Sequence, residues 1–183
     1  VCAPRKIHVM VEKPLATTYA DALEMQQLAQ KHNVKVLTNF ETSWYASNQY
    51  VRDLYKNGDL GQLRKVLVND GHEGPAHMDK YFVDWLTDPI QNGGGALTDF
   101  GCYGGNLMTW LKEGQRPLSV TAVTAQNRPD LYPKVDDEAT IILQYPGVQC
   151  VIQASWSWTF SRKDMEVFGT KGYAKAIDKT TIA

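Results

Sequence analysis

The sequence lacks an excess of charge of either sign. Its 183 residues carry 19 Lys and Arg against 20 Asp and Glu, and the formal net charge is −1. The two signs are interspersed, so no basic stripe offers the electrostatic footprint of a nucleic-acid-binding protein. No apolar run approaches the roughly 18 residues that a membrane-spanning helix requires. We therefore expect neither a nucleic-acid partner nor a membrane partner.

The sequence also lacks the motifs of metal sites and disulfide frameworks. Its three cysteines, Cys2, Cys102 and Cys150, are far apart and form no CxxC pair. The stretch HEGPAH differs from the HExxH zinc signature, because its histidines are five residues apart and its Gly-Pro pair would break a helix. No GxSxG elbow and no phosphate-binding loop occurs. We expect free thiols and no metal.

A third absence concerns nucleotide binding and targeting. The sequence contains no GxGxxG fingerprint for a dinucleotide pyrophosphate. Its first residues, VCAPRKIHVM, lack the long apolar stretch of a signal peptide. The default expectation is a cytoplasmic location, with secretion as the alternative.

What is present is typical of a globular protein, with 43% hydrophobic and 21% charged residues. Alternating apolar residues before Pro14 predict a strand. A helix follows, with Thr18 and Asp21 as a capping box and Asn33 as its end, and residues 34–40 predict a second strand. Strand, helix and strand of these lengths indicate a βαβ unit in a parallel sheet.

The remaining sequence predicts a different architecture. A helix capped by Ser47 and a strand at 63–70 precede an irregular stretch at 71–94, and one further helix runs to about Leu111. Alternating runs then predict several strands, two of them joined by a Pro-Gly hairpin turn. The predicted fold class is α/β, with an α+β second domain built on a large open mixed or antiparallel sheet that carries helices on one face.

The stretch GGGALTDFGCYGG, residues 93–105, is the first candidate site. Asp99, Tyr103 and Asn106 lie on one helical face, since they are spaced four and three residues apart. Such a face suits a tyrosine acid or base oriented by a carboxylate, with glycines that admit a ligand closely. A solvated helix face with glycines at a packing contact explains the same spacing.

Two further groups of residues are candidates. Glu12, Lys13 and Pro14 follow the first strand, at the edge of an open α/β sheet where ligands bind, although a solvated lysine beside a turn proline fits as well. Aromatic residues in the second half offer faces for a sugar-like ring, although most aromatics pack in cores. The candidates for substrate contact are Trp85, Asn106, Trp156, Trp158 and Arg162, of which the two later tryptophans are expected on one side of a strand.

Taken in order, these motifs resemble those of a known enzyme family. EKP after a strand, Asn39 at the end of the next strand, NGDLGQLRKV, GGGALxDxGxY and the late EVFGTKG are similar to the glucose-fructose oxidoreductase and inositol dehydrogenase family, Gfo/Idh/MocA. The resemblance extends over nearly the whole sequence. It implies that residues 1–40 are the end of an NAD(P)-binding Rossmann domain, and that residues 41–183 are most of a substrate and oligomerisation domain, incomplete at its C-terminus.

The resemblance also implies residue roles. Lys13, Asp99 and Tyr103 match the catalytic positions, with Tyr103 where many members have histidine. Glu12, Lys13, Pro14 and Asn39 are then expected at the NAD or NADP cofactor, whose main binding site is absent from this sequence. Asn106 stands where many members have a second aspartate, which puts its role in doubt. From charge alone, we expect Lys13 to lower the pKa of the Tyr103 phenol.

The function implied is hydride transfer to or from a sugar, polyol or related hydroxy compound by an NAD(P)-dependent oxidoreductase. Two alternatives remain open, a non-catalytic sugar-binding or assembly module and an NAD-assisted glycosidase. The family resemblance, together with the exposed face of an open sheet, predicts a homodimer or homotetramer assembled through the second domain.

Overall fold

The computed structural model describes all residues, Val1–Ala183. No helix in it is both long enough and apolar enough to cross a membrane. The chain forms five α-helices, α1 to α5, at Tyr19–His32, Ala46–Lys56, Lys80–Leu86, Ala96–Asp99 and Gly101–Leu111. Its eight strands, β1 to β8, are Val9–Glu12, Val36–Asn39, Leu63–Gly71, Ser119–Ala125, Glu138–Tyr145, Val148–Ser155, Arg162–Gly169 and Tyr173–Ala176.

The first region is the expected βαβ unit. Strands β1 and β2 pair in parallel as a separate two-stranded sheet, and Glu12 lies opposite Asn39 at its carboxyl edge. Helix α1 begins as predicted, because the Thr18 hydroxyl accepts a hydrogen bond from the Asp21 amide at 3.1 Å. It ends at Asn33, whose φ of 50° is left-handed. Local capping chemistry thus accounts for both ends of this helix.

The second region contains a six-stranded mixed sheet with the order β4-β5-β6-β3-β7-β8. Only the central pair, β3 and β6, is parallel, and every other pair is antiparallel. The predicted hairpin is confirmed, because Pro146 and Gly147 join β5 to β6, with Gly147 at a φ of 73°. The carboxyl ends of β3 and β6 and the start of β7 therefore lie at one end of the sheet.

Helices cover one face of this sheet, as expected. Along β5 and β6 buried and less buried residues alternate, which is the pattern of a sheet with one packed face. Helices α2 and α5 pack on the buried face and close a core of 18 residues that includes Val66, Leu107 and Ile152. A second cluster of 9 buried residues, with Phe100, Tyr103 and Trp156, lies under α4 at the end of the sheet where the candidate site is found.

Three local predictions were wrong. Helix α2 begins at Ala46, and the Ser47 hydroxyl donates to the distant Asp178 carbonyl, so Ser47 does not cap the helix. The predicted helix to Leu111 is two helices, α4 and α5, that meet at Phe100. The irregular stretch 71–94 contains α3, which Asp79 caps by accepting hydrogen bonds from the amides of Tyr81 and Phe82.

Candidate active site

The two regions of the chain meet where Lys13 reaches Asp99. Lys13 follows β1 and points at the junction between α4 and α5, where its ammonium group forms an ion pair with the Asp99 carboxylate. The same ammonium group donates to the Asp99 carbonyl oxygen at 3.0 Å. The side chains are 16% and 9% exposed, so the pair is largely shielded from water. The two motifs that the sequence analysis singled out therefore form one site.

A loop distant in sequence fixes the helix that carries Asp99. Helix α4 has no cap of its own, and the Asp136 carboxylate accepts hydrogen bonds from the amides of Gly95 at 3.2 Å and Leu97 at 2.7 Å. The Asp136 carbonyl accepts a third, from Ala96 at 3.0 Å. An acidic side chain at a helix N-terminus is favourable, since it satisfies free amides and opposes the helix dipole.

Both oxygens of the Asp99 carboxylate are occupied. One binds Lys13, and the other accepts a hydrogen bond from the indole nitrogen of Trp156 at 2.9 Å. Trp156 is completely buried and follows the end of β6. Because the carboxylate is held from two sides, it is suited to orienting the lysine. Two of the three ammonium protons then point at Asp99, and one remains for a ligand.

Tyr103 lies one turn beyond Asp99 and is almost buried, with 4% of the residue exposed. Its ring is flanked by two cations, because the Lys13 nitrogen is 5.1 Å and the Lys163 nitrogen 4.8 Å from the ring centroid. The rings of Phe40 and Phe100 complete its surroundings at centroid distances of 6.4 and 6.5 Å. The tyrosine is thus held rigidly between the two regions of the chain.

The expected lowering of the Tyr103 pKa was wrong. Burial raises the pKa of the Tyr103 phenol well above its ordinary value, and the negative charges of Asp70, Glu41 and Asp99 add to the increase. The charge of Lys13 is largely balanced by its own partner, Asp99. In this structure Tyr103 is therefore a neutral phenol at neutral pH.

A further group of charged residues, which no sequence motif indicated, consists of Lys163, Glu41 and Asp70. The Lys163 ammonium forms an ion pair with Glu41 at 3.0 Å. Burial acts against ionisation of Glu41, but hydrogen bonds from Lys163 and Tyr45 outweigh it and lower the pKa of Glu41 to about 2. Asp70 lies opposite Lys163 across the β3–β7 ladder. The sequence did contain a signal for Lys163. It alternates with Met165 and Val167, which are buried, so the lysine lies on the packed face of β7.

Arg162, the predicted substrate contact, occupies the other face of β7. Its guanidinium binds the Asp164 carboxylate and lies 3.6 Å from Glu166. Neighbouring residues on a strand point to opposite faces. The packed face therefore presents Lys163, and Arg162 belongs to an ion-pair network on the open face.

The residues predicted at the cofactor lie together at the carboxyl edge of the two-stranded sheet. The Asn39 amide donates to the Glu12 carboxylate at 2.6 Å, and the Asn39 oxygen accepts from the Trp44 indole at 3.0 Å. Lys13 and Pro14 continue from Glu12 into the site. The edge of the first sheet therefore presents polar groups next to the catalytic candidates, as its position in an α/β unit predicts.

The other predicted substrate residues are distributed over the molecule. Trp156 has no exposed surface, and its indole donates a hydrogen bond to Asp99. Trp158 stacks on Phe160 beyond the end of β6. The two tryptophans therefore do not share a strand face. Asn106 donates to the Ser43 hydroxyl at 2.6 Å. Trp85 is 41% exposed and lines a cavity to which none of the catalytic candidates contributes. Lys163 places a charge beside the Tyr103 ring, and none of these four residues does.

The glycines of residues 93–105 serve packing inside the protein. A side chain at Gly95 would lie 1.8 Å from the Asp136 carbonyl oxygen, and one at Gly104 would lie 2.6 Å from the Ile152 side chain. The first glycine lets the Asp136 loop cap α4, and the second lets α5 lie close against β6. The close approach that the glycines permit is between parts of the same chain.

Two large cavities lie near this end of the molecule. The one of about 580 Å³ beside α3 has none of the catalytic candidates on its wall. The other, of about 530 Å³, lies at the ends of β3 and β7, and its wall includes Lys163, His72 and the predicted substrate residue Arg162. Lys13, Asp99 and Tyr103 do not line it. We take the second as the cavity connected with the site, because Lys163 also contacts the Tyr103 ring.

Comparison with known protein families identifies the architecture. Residues 48–175 match the GFO/IDH/MocA C-terminal domain. The chain belongs to the Gfo/Idh/MocA family of oxidoreductases. Residues 2–40 match the NAD-binding Rossmann fold of the same oxidoreductase family. The resemblance inferred from EKP and GGGALxDxGxY is thereby confirmed.

Similar proteins include dehydrogenases and oxidoreductases. The trans-1,2-dihydrobenzene-1,2-diol dehydrogenase of Bos taurus is 32% identical over 175 residues, which are 93% of this chain and 48% of the relative. Among solved structures, aldose-aldose oxidoreductase from Caulobacter crescentus complexed with glycerol is 28% identical with a TM-score of 0.84, over 98% of this chain and 52% of that one. GenD2 from gentamicin A biosynthesis, in complex with NAD, is 26% identical with a TM-score of 0.82, over 96% and 49%. The chain thus spans about half the length of the relatives it matches.

Proposed function

We propose that the protein carrying this chain is an NAD(P)-dependent oxidoreductase that reduces a carbonyl group, or oxidises a hydroxyl group, on a sugar, polyol or related diol. The proposal rests on one observation. Lys13, Asp99 and Tyr103 lie together at the carboxyl edge of the first sheet, in a cluster that is shielded from water. A solvated helix face, the alternative explanation of the spacing, does not account for the burial of Asp99 and Tyr103.

Residues of this chain fit one end of a nicotinamide nucleotide. Glu12 and Asn39 offer hydrogen-bonding groups at the sheet edge, and Lys13 has one donor left beside Tyr103. These groups suit the ribose next to the nicotinamide, whereas the sequence contains no turn for the pyrophosphate. When bound, such a nucleotide supplies or accepts the hydride.

The residues of the chain then handle the proton. Tyr103 is a neutral phenol in a dry setting, so it carries the proton that a carbonyl oxygen takes up on reduction, while its raised pKa makes it a weaker acid than a free phenol. The remaining Lys13 proton can donate to the same oxygen and stabilise the charge that develops on it. Asp99 holds Lys13, and Trp156 holds Asp99. Asp99 and Trp156 are thus positioning residues.

We further propose that substrate enters through the cavity of about 530 Å³ that Lys163 and His72 help to line. Its wall carries several charged residues, which suit a hydroxyl-rich compound better than an apolar one. The similar enzyme from Caulobacter crescentus is complexed with glycerol, and the relative from Bos taurus is named as the dehydrogenase of a diol. Both compounds carry neighbouring hydroxyl groups, which agrees with this class of substrate.

We propose that residues 1–40 belong to a nucleotide-binding domain, and residues 41–183 to a substrate domain that self-associates. Apolar side chains such as Val120 and Val123 of β4 and Tyr173 of β8 are exposed, at 60%, 69% and 46%. Light scattering of the full-length protein at high concentration is expected to give the mass of a dimer or tetramer. A monomeric mass would contradict this part of the proposal.

The replacement of Tyr103 by Phe tests the function directly. It keeps the ring and its packing but removes the exchangeable proton, so turnover of the full-length protein should fall by roughly 10² to 10⁴. Turnover is followed by nicotinamide absorbance with NADH or NADPH and a panel of aldoses and dicarbonyls. Cofactor affinity, measured by fluorescence, should stay nearly unchanged.

The matched control is Tyr81→Phe, since Tyr81 lies on the surface and is 84% exposed. It should turn over like the wild type. If Tyr103→Phe does the same, Tyr103 is a packing residue. Sugar binding without any turnover would favour the non-catalytic module, and release of a reducing sugar without net NADH would favour the glycosidase.

A further inference from the structure

A small internal cavity lies behind Lys163, between the short 3-10 helix Glu41–Trp44, the start of α2 and the packed face of β3. Its volume is about 10 Å³, and Thr42, Asn48 and Asp70 line it together with Lys163. This is about the room that one water molecule occupies.

Four polar atoms on the cavity wall have no partner within the chain. They are the Thr42 hydroxyl oxygen, the Asn48 side-chain oxygen and both carboxyl oxygens of Asp70. The three residues are 4%, 4% and 1% exposed. The Asn48 amide nitrogen is already bonded to the Thr42 carbonyl at 2.8 Å, so its oxygen is left toward the cavity. Buried polar atoms without partners are rare and costly, and internal water is their usual partner.

We propose that the cavity holds one fixed water molecule, and that Asp70, through this water, positions the Lys163 ammonium group beside Tyr103. The water can donate to Asn48 and to one Asp70 oxygen, and it can accept from the Thr42 hydroxyl. Lys163 then has partners on two sides, Glu41 toward the surface and the water toward the interior. Only the expected effect on turnover rests on the proposed function.

The charges around Asp70 agree with this role. Four charged groups face it from other elements: Lys163 on β7, Lys13 after β1, Asp99 on α4 and Glu41 in the 3-10 helix. Burial raises the pKa of Asp70 to about 8, although the two lysines partly offset the increase. A neutral carboxyl can hold the water without drawing Lys163 away from Glu41.

Crystal structures of the full-length protein near neutral pH test the inference. In the wild type we expect a single water within hydrogen-bond distance of Asp70, Asn48 and Thr42. Asp70→Leu should lose the water and let the Lys163 nitrogen leave its position 4.8 Å from the Tyr103 centroid. Thr42→Val keeps the shape of the residue but removes the hydroxyl, so it should displace the same water or weaken its binding. This variant replaces Asp70→Leu in the test if Asp70→Leu does not fold.

Glu166→Gln is the matched control, because Glu166 lies on β7 but binds Lys175 and Arg162 on the open face. It should keep both the water and the lysine position. An empty cavity in the wild type overturns the inference, as does a lysine that stays in place in both Asp70→Leu and Thr42→Val.

Turnover gives a second readout. With the lysine displaced, kcat should fall by about tenfold while the KM for the nicotinamide cofactor stays unchanged. If the wild type has no nicotinamide-dependent turnover, the proposed function fails while the crystallographic test still stands. If the wild type turns over normally with an empty cavity, only the present inference fails.

Discussion

The two regions of the chain differ in how they bury their side chains. Before Thr42 only Val34 is buried, and helix α1 has no buried residue at all. In the second region helix α5 alone has six buried residues, and it faces a core cluster of 18. The second region can therefore stabilise itself by its own core, whereas the first depends on what it touches.

The exposed face of the first sheet makes the same point. Met10 and Leu37, which are paired across the two strands, are 56% and 57% exposed, although parallel strands are normally covered on both faces. This weakly packed region nevertheless supplies Lys13, for which we propose a catalytic role. The ion pair of Lys13 with Asp99 joins a region with almost no core to one with a large core. This difference in packing leads to testable differences in stability.

The largest expected difference is in how much stability each region loses when a leucine is replaced by alanine. Leu107→Ala leaves a cavity in the core, since Leu107 is 2% exposed, and should lower the free energy of unfolding by about 3 kcal/mol. Leu37→Ala, on the open face of the first sheet, should cost less than about 0.5 kcal/mol. Urea unfolding curves of the two variants compare these costs. Similar losses would show that the regions are equally packed.

The second prediction concerns pH and Asp70. Its pKa is about 8 in the folded chain and 3.8 without burial, so between these values the folded state binds a proton that the unfolded state does not. Stability of the wild type should therefore fall, relative to Asp70→Asn, as pH rises through this window. The difference should grow by up to about 1.4 kcal/mol per pH unit. Urea unfolding at pH values from weakly acidic to neutral measures it.

Glu166→Gln provides the control of opposite sign. Hydrogen bonds from Lys175 and Tyr173, which outweigh a smaller opposing effect of burial, lower the pKa of Glu166, so its contribution is present above the unfolded pKa and is lost only as pH falls. Its difference from the wild type should be constant near neutral pH. A constant difference for Asp70→Asn as well would mean that Asp70 is ionised there.

The smallest expected effect is the loosening of the first region. Lys13→Met removes the ion pair with Asp99, so amide hydrogen exchange in β1 and β2 should accelerate by about tenfold while α5 is unaffected. Lys6→Met is the matched control, because Lys6 bonds only to the His32 carbonyl within the same region. Equal acceleration in both variants would remove the special role of the Lys13 pair.

Local chemistry explains which parts of the fold could be predicted. The Thr18 cap, the Asn33 end and the Pro146-Gly147 hairpin were predicted correctly, because each depends on residues close in sequence. Ser47 was misjudged for the same reason. It has the side chain of a helix cap, but its hydroxyl finds a partner more than a hundred residues away, at Asp178.

The sequence by itself determined the family and most of the order of helices and strands, because periodicity, capping and motif spacing are properties of neighbouring residues. The choice of Lys13, Asp99 and Tyr103 followed from the family resemblance, whereas α3 and the break between α4 and α5 were not predicted. Only the tertiary structure decided that Trp156 holds Asp99 and that Lys163, with Asp70 behind it, lies beside Tyr103. These contacts depend on the register of β3 with β7 and on how closely α5 packs against the sheet. Strand register and helix packing also fix burial, and burial decides that Tyr103 is a neutral phenol even though two lysines lie next to its ring.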